Sequence, residues 1–329
     1  MSDAAVDKQI ATSGTSQEKR QPMSQSAKTN LFFGMALVAL IVIAAFTSDA
    51  FLTERNLTNV ARQMVTTGFL AIGMYVVVRS GGIDLSVGST VAFAAVLVSG
   101  LQGVVPLPVA IAAALGVGVL VGLINGILIA YLRLQPFIVT LAMMGAVRGA
   151  VFVYSETPTY ASDTFFLKVL GAGKIFGVVP VPFAIFLLVI PIVWVFMNHT
   201  RSGRAIMTIG MNPETVRLAG INVRAKVTLA YVICGFFAAL AGVLLAARLG
   251  ISQPSVGVAY ELDAIAAVVI GGGILGGGGG TVGGMFGGVI ALAVIDNVLN
   301  LFNVQSYYQQ ILKGLIILVA VLVRRKPEN

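Results

Sequence analysis

Few residues in this sequence could make or break bonds, and they do not occur in clusters. The chain has one cysteine, Cys234, and one histidine, His199. A structural zinc site takes four ligands, and a protein nucleophile is activated by a neighbouring base. The glycine-rich stretch from Gly271 to Gly288 contains no lysine, so it lacks the residue that completes a phosphate-binding P-loop. The sequence therefore predicts no catalytic site, no metal site and no cofactor.

Two charged residues, Arg148 and Asp296, lie inside apolar stretches that are expected to form membrane helices. Counted from helix ends expected at Pro136 and Thr281, they lie about 18 and 22 Å deep at about 1.5 Å per residue. A lone charge at that depth costs at least about 2.5 kcal/mol on insertion scales, and such charges usually pair. We expect a salt bridge between them, or a polar network beside a pathway. The alternative is that Arg148 reaches the outer interface and Asp296 bonds a neighbouring asparagine.

Uncharged polar groups also interrupt the apolar stretches. Asn125 and Asn297 lie within such stretches, and Asp84 and Ser86 come just before one. Hydrogen bonds between helices would explain the two amides, and so would the lining of a pathway for a polar substrate. Capping of the helix that follows would explain Asp84 and Ser86.

The longest polar loop, residues 199–226, contains the start and end signals of a short helix. Asn212 is a capping residue, Pro213 suits the first helical position, and Glu214 places an acid in the first turn. Gly220 is placed to end the helix in a left-handed conformation. The loop is either a solvated connector or a docking helix that transmits movement from a cytoplasmic partner.

Membrane helices must position these residues. Hydrophobic residues make up 57% of the chain and charged residues only 10%, whereas about a quarter of a soluble domain is charged. The mean hydropathy is +0.96. Apolar stretches recur at the length that crosses about 30 Å of hydrocarbon. We predict an all-α, polytopic bundle of about ten transmembrane helices, at 31–47, 60–78, 86–104, 108–131, 136–154, 179–198, 226–248, 262–275, 281–303 and 310–323. The stretch 262–275 is short for a full crossing and is expected to be broken or re-entrant.

Glycines recur at every fourth position in two stretches. They are Gly118, Gly122 and Gly126, and then Gly280, Gly284 and Gly288. Small residues at this spacing let helix backbones approach closely in lipid. We predict close helix packing at both stretches, with a flexible hinge as the alternative for the second.

The distribution of basic residues predicts the orientation. With the N-terminus inside, cytoplasmic segments hold fourteen of the twenty-one Lys and Arg residues and outer segments hold six, with Arg148 left inside a helix. This bias follows the positive-inside rule, and it places the net charge of +8 in loops and tails and not on a nucleic-acid surface. We expect a disordered cytoplasmic tail at 1–30, a membrane domain at 31–323 and a cytoplasmic tail at 324–329. A faint similarity between residues 122–137 and 293–308 suggests inverted repeats.

Several stretches together resemble the permeases of bacterial ABC importers of the ribose/xylose/galactose type. "SGGIDLSVGS", residues 80–89, looks like the signature of that family, and residues 134–149 and 294–322 continue the resemblance in order. Within the 199–226 loop, the residues that match the family's coupling segment are Asn212, Pro213, Glu214, Arg217, Leu218, Gly220 and Ile221. The residues that depart from it are Thr215, Val216 and Ala219.

The resemblance implies a permease subunit that carries a ribose-like monosaccharide across the bacterial inner membrane without enzymatic activity of its own. Its implied partners are a cytoplasmic ATP-binding subunit, a periplasmic sugar-binding protein, a second permease copy in a homodimer, and membrane lipid, with no nucleic acid. The matching residues of the loop would couple the chain to the ATPase. Asp84 and Ser86 would form a structured turn near the cytoplasmic mouth.

Two other functions remain open. A permease of the same architecture could carry branched-chain amino acids or nucleosides. An ion-coupled secondary transporter would instead need several acids embedded in its helices.

Overall fold

A computed structural model describes residues 34–35, 38–39 and 41–324 of the chain. The predicted tail at 1–30 and residues 325–329 lie outside these ranges, as does much of the predicted span 31–47, of which residues 41–47 are helical. The helices that follow are α1 (Glu54–Arg79), α2 (Val87–Leu101), α3 (Leu107–Ala130), α4 (Pro136–Tyr154), α5 (Val181–His199), α6 (Arg201–Ile209), α7 (Pro213–Leu218), α8 (Val223–Leu249), α9 (Tyr260–Ile270), α10 (Val282–Leu301) and α11 (Ser306–Arg324).

The remaining elements lie mainly between α4 and α5. A π-helix, Phe166–Gly171, lies among three strands of two residues each, β1 (Thr159–Tyr160), β2 (Lys174–Ile175) and β3 (Val179–Pro180), and β4 (Ile251–Ser252) follows α8. β1 pairs with β4 and β2 with β3, both antiparallel. The first pair joins the loop after α4 to the segment after α8.

Two long helices, α1 and α8, form the centre of the bundle. Of the helices long enough to cross a membrane, they are the most buried, and their side chains make up much of the largest hydrophobic cluster. Local signals fix their ends: the Thr53 hydroxyl accepts a hydrogen bond from the backbone N of Asn56 at 3.3 Å, and α8 ends at Gly250 with φ 69°. Left-handed backbone of this kind favours glycine because it has no Cβ.

Among the described residues, six helices are long and apolar enough to cross a membrane, namely α1, α3, α4, α5, α8 and α10. The predicted count of about ten is therefore not confirmed. α2 has 15 residues, fewer than predicted, and α9 has 11. At about 1.5 Å per residue they span about 22 and 16 Å, less than the roughly 30 Å of hydrocarbon. The short α9 agrees with the expectation that the stretch 262–275 does not cross fully.

Close backbone packing accounts for the first glycine series. A Cβ on Gly118 would collide with the carbonyl oxygen of Gly235, and one on Gly122 with that of Tyr231, both on α8. Gly126 meets Thr228 on the same helix. The prediction of close packing is confirmed here, and α3 lies directly against α8.

The second series divides between packing and turning. Gly284 and Gly288 on α10 face the carbonyl oxygens of Gly271 and Ala267, so they pack α10 against the end of α9. Gly280 instead precedes α10 and has φ 87°. In this series, therefore, the two glycines of α10 serve helix packing, and Gly280 serves a turn with left-handed backbone.

The order of helix lengths recurs along the chain. In the first half, helices of 26, 15, 24 and 19 residues follow one another, and in the second half helices of 27, 11, 20 and 19 residues do so. In each half the long first helix is separated from the short second helix by an irregular segment. This recurrence of helix lengths is consistent with an internal repeat. The inverted orientation of the two halves remains a prediction.

Candidate functional sites: two helix breaks and a surface helix

The first helix break lies between α1 and α2 and is filled by a buried polar cluster. Asp84 Oδ1 accepts hydrogen bonds from the Ser86 backbone N at 2.9 Å and from Ser86 Oγ at 2.6 Å. Asn125 Nδ2, from α3, donates to Ser86 Oγ at 3.0 Å and lies 3.5 Å from Asp84 Oδ1. All three side chains are at most 1% exposed, so the structure brings together three of the residues selected from the sequence.

This geometry corrects the capping interpretation of Asp84 and Ser86. Ser86 is the residue before α2, but its side chain makes no capping hydrogen bond to the helix. Asp84 accepts the backbone N–H of Ser86 instead, within a turn that lies inside the bundle. Buried backbone groups require partners, and here a side chain supplies one.

The second break lies between α8 and α9 and is held by Arg148 of α4. Arg148 Nη1 donates to the carbonyl oxygens of Pro254 at 2.6 Å and Val256 at 2.7 Å. The predicted salt bridge with Asp296 is therefore wrong. The depth argument estimated the level of each charge, but it carried no information on which neighbour each helix face meets.

The two breaks touch each other. A Cβ on Gly88, at the start of α2, would collide with the carbonyl oxygen of Gly257, and a Cβ on Gly257 would collide with that of Gly88. Glu261, in the first turn of α9, is close to the same contact: its Oε2 lies 2.7 Å from the position that a Cβ on Gly88 would take. The beginnings of the two short helices are therefore in backbone contact inside the bundle.

Asp296 belongs to a different ionic cluster, which the sequence analysis missed. Lys313 Nζ of α11 lies 2.9 Å from Asp263 Oδ1 of α9 and 3.1 Å from Asp296 Oδ2 of α10. The side chains are 16–24% exposed. Lys313 is one of the six basic residues that the charge count places in outer segments, whereas the structure pairs it with two acids.

Asn297 makes a reciprocal pair of hydrogen bonds with Asn56 at the start of α1. The two Nδ2–Oδ1 distances are 2.9 and 2.7 Å. Asn297 is 5% exposed. This arrangement agrees with the interpretation of the amide as a contact between helices, whereas its role in a pathway remains untested.

The predicted surface helix is present as α7. Asn212 Oδ1 accepts hydrogen bonds from the backbone N of Glu214 at 3.0 Å and of Thr215 at 3.3 Å. Pro213 is its first residue, and Gly220 follows it with φ 73°. These features are those expected from the sequence.

The outward face of α7 combines an ion pair with an apolar residue. Arg217 Nε donates to Glu214 Oε2 at 2.8 Å, and this bond lowers the pKa of the Glu214 carboxyl. Leu218 is 76% exposed. By contrast, Val216 is 3% exposed and packs with Ala205 and Ile209 of α6. The helix therefore has one face packed on the protein and one exposed face.

A second surface helix, α6, precedes α7 and was not predicted. Thr200 Oγ1 caps it by accepting from the backbone N of Gly203 at 3.0 Å. Ala205, Ile206 and Ile209 form its buried face. The capping threonine and this helical spacing were present in the sequence and could have revealed it.

The surface helices rest on the end of α1 and on the glycine-rich loop. Gly210, just after α6, lies against the carbonyl oxygen of Arg79 and against Gly277, whose φ is 106°. Arg79 Nη1 donates to the carbonyl oxygens of Gly278 at 2.6 Å and Gly280 at 3.1 Å. A displacement of α6 and α7 would therefore act directly on the end of a central helix.

The described residues contain no group of three or more His, Cys, Asp and Glu side chains placed to hold a metal ion. The polar groups of the two breaks are engaged with backbone and with each other. Their arrangement shapes and joins helices, and it offers no activated nucleophile.

Comparison with known proteins gives consistent matches over most of the chain. The family described as "Branched-chain amino acid transport system / permease component" matches residues 56–321. The ribose import permease protein RbsC of Escherichia coli (strain K12) is 41% identical over 299 residues, covering 89% of this chain and 93% of the relative. RbsC of Bacillus subtilis (strain 168) is 40% identical over 296 residues, covering 89% and 91%. The galactose/methyl galactoside import permease protein MglC of Escherichia coli (strain K12) is 35% identical over 306 residues, covering 87% and 91%. No solved structure matches the chain.

Proposed function

Since this chain belongs to the family of branched-chain amino acid transport system permease components, we propose that it is the permease subunit of an ABC importer for a monosaccharide. The single observation that carries this proposal is the 41% identity, over 89% of the chain, to a protein named as a ribose import permease. Ribose, or a sugar of similar size, is the proposed substrate.

The family description names branched-chain amino acids, whereas the relatives are named for the import of ribose and galactose. The relatives carry more weight, because they are 35–41% identical to this chain and align over 91–93% of their own lengths. A permease for amino acids remains the alternative.

The surface helix α7 is the proposed contact with the ATP-binding subunit. Its fixed face packs on α6, and its free face presents Leu218 beside the Glu214–Arg217 pair. An exposed leucine on a rigid, capped helix suits a partly apolar groove in a partner. Movement of that partner would reach α1 through Gly210 and Arg79.

A second copy of the chain is proposed to pack along α4. One side of this helix is exposed and small, formed by Ala142, Gly145, Ala146, Gly149 and Ala150. A Cβ placed on Gly145 or Gly149 would have no neighbour within 4 Å. Small residues spaced by four let two membrane helices approach closely, so two copies meeting here would enclose a pathway between them.

The bundle contains more buried acids than the sequence suggested, and an ion-coupled secondary transporter would need such acids. Asp263 and Asp296 both pair with Lys313, and Asp84 is engaged by Ser86 and Asn125. Each of these acids already has a partner, and such pairs occur in structural networks as well as in ion pathways. They therefore do not favour a secondary transporter.

The proposed location is the bacterial inner membrane, with both ends of the chain and α7 in the cytoplasm. The basic residues follow this orientation. The proposed partners are a cytoplasmic ATP-binding subunit and a periplasmic sugar-binding protein. This division assigns ATP hydrolysis to the first partner and most of the sugar selection to the second.

Substrate competition tests the proposed sugar. A bacterial strain without its own ribose importers would express the chain with its two partners, and uptake of labelled ribose would be measured. We expect excess unlabelled ribose to abolish the signal and excess leucine or adenosine to leave it unchanged. Uptake of labelled leucine but not of ribose would instead establish the amino-acid alternative.

A further inference from the structure

A cavity of about 360 Å³ lies where α1, the π-helix and α8 come together at one end of the bundle. Its polar lining includes Asn59, Arg62 and Gln63 of α1 and Arg248 of α8. In the proposed orientation this is the outer, periplasmic end. Of its lining residues, Gly250 belongs to the second helix break, and none belongs to α6 or α7.

The two arginines in this cavity have donors without partners. Arg62 Nη2 donates to the carbonyl oxygen of Ala172 at 2.9 Å, but its buried Nε has no hydrogen-bond partner among the described residues. Arg248 makes no hydrogen bond or ion pair with another described residue, and it lines the same cavity as Arg62. Two like charges in one cavity repel each other, so the site favours an anion between them.

The nearby carboxylates are already paired. Glu54, at the start of α1, pairs with Lys174 at 3.0 Å, and Asp263 of α9 pairs with Lys313 at 2.9 Å. Neither belongs to the lining of the cavity. Among the described residues, no carboxylate lines the cavity to balance the charge of the arginine pair.

The position of the cavity favours an occupant from the water and not from the lipid. α1 and α8 are the most buried of the six long helices, so a cavity at their ends opens on the end face of the bundle, away from the lipid-facing flank. The Arg248 guanidinium can bind a carboxylate through two parallel hydrogen bonds. The side-chain amides of Asn59 and Gln63 offer further donors.

We propose that Arg62 and Arg248 form a docking pocket for an acidic side chain of the sugar-binding protein. This inference rests on the proposed function, because it needs a binding protein that docks at the outer end of the chain. A carboxylate seated between the arginines would reduce their repulsion and accept hydrogen bonds from the free donors of Arg248. Docking would thereby join the end of α1 to the end of α8, the two central helices.

The test measures the affinity of the purified, ribose-loaded binding protein for the permease–ATPase complex in lipid nanodiscs. Arg248→Gln removes one guanidinium and breaks no hydrogen bond within the described part of the chain. We expect it to weaken binding at least about tenfold, as truncation of a desolvated charge pair does. Arg248→Lys, which keeps the charge, should weaken binding less. Arg55→Gln is the matched control, because Arg55 is an exposed cation at the same end of α1, and it should change the affinity less than about threefold.

Thermal unfolding of the complex separates docking from structure. Because Arg248 has no internal partner and is repelled by Arg62, Arg248→Gln should keep or raise the unfolding temperature while it weakens binding. A fall in unfolding temperature with unchanged affinity would show a structural role and overturn the proposal. A lipid headgroup as occupant would be shown if phosphatidylglycerol raised the unfolding temperature of the wild type but not of Arg248→Gln, again at unchanged affinity.

The outcome also distinguishes this inference from the proposed function. If the wild-type complex takes up ribose and binds its binding protein, and Arg248→Gln binds equally well, only the docking pocket is wrong. If the wild-type complex neither binds a binding protein nor takes up ribose, the proposed function itself fails.

Discussion

Arg148 shows how single polar residues act inside this bundle. The segment between α8 and α9 is not helical, so the carbonyl oxygens of Pro254 and Val256 accept no hydrogen bonds within a helix. The Arg148 guanidinium donates to both of them instead. At the other break, Asp84 accepts the backbone N–H of Ser86. In both places a charged group stabilises irregular backbone in an apolar environment, where unsatisfied groups are costly.

This geometry predicts that Arg148 and Asp296 act independently. Arg148→Met should destabilise the protein by about 1–3 kcal/mol for each carbonyl left without a partner. Asp296→Asn should weaken only the cluster around Lys313. A double-mutant cycle on thermal unfolding should therefore be additive within about 0.5 kcal/mol. A coupling energy well above that value would instead indicate a direct salt bridge between Arg148 and Asp296.

The contact between the two breaks makes a second prediction. Gly88→Ala and Gly257→Ala each place a Cβ against a carbonyl oxygen, and overpacking of this kind costs about 1–3 kcal/mol. Both variants should unfold at lower temperature and transport less. Gly283→Ala is the control, because its Cβ would meet nothing within 4 Å and alanine suits a helix. Equal stability of all three variants would contradict the described contact.

The sequence identified several of these residues as candidates, but it did not show which of them contact each other. Asp84, Ser86 and Asn125 stood out because polar groups are rare in apolar stretches, and they do meet. Arg148 and Asp296 stood out for the same reason and do not meet. Depth along a helix follows from counting residues, whereas the neighbour of each helix face depends on how all the helices pack.

At the scale of elements, α7 was the most predictable part of the chain. A capping asparagine, a proline at the first position and a glycine at the end are local signals, and the structure has each of them. The breaks before α2 and α9 were harder to predict. Apolar residues continue through both short helices. Hydropathy alone therefore predicts a span at 86–104, whereas α2 ends at Leu101.

The end of α7 provides a test of coupling. Gly220→Val forces a β-branched residue into left-handed backbone, at a cost of roughly 1–2 kcal/mol, and it should shift the helix that we propose as the contact with the ATP-binding subunit. We expect reduced ribose transport and reduced stimulation of ATP hydrolysis, with normal amounts of protein in the membrane. Gly220→Asn, which tolerates this conformation, should retain most of both activities. Normal transport by Gly220→Val would show that α7 is only a connector.

At the scale of the whole molecule, the arrangement suggests one mechanical unit. The two central helices are each followed by a break, and the breaks meet at Gly88 and Gly257. At one end the surface helices contact Arg79, and at the other end the cavity that Arg62 and Arg248 line lies between α1 and α8. A force on α7 and a partner docked at the far end would act on the same pair of helices.

The proposed pairing of two copies along α4 can be tested by cross-linking. The native cysteine, Cys234, is buried, so a single introduced cysteine can be followed without interference. Ala146→Cys should form disulfide-linked dimers in membranes under mild oxidation. Leu188→Cys on α5, which is 66% exposed, is the matched control and should remain monomeric. Cross-linking at position 188 and none at 146 would move the interface away from α4.

The most direct test of the central claim is uptake by liposomes that contain the chain, its ATP-binding subunit and its sugar-binding protein. The account predicts that labelled ribose accumulates only when all three proteins are present and ATP is hydrolysed. Omission of any one protein, or replacement of ATP by a non-hydrolysable analogue, should abolish accumulation. Accumulation driven by a sodium or proton gradient, by liposomes that contain this chain without the ATP-binding subunit, would contradict it.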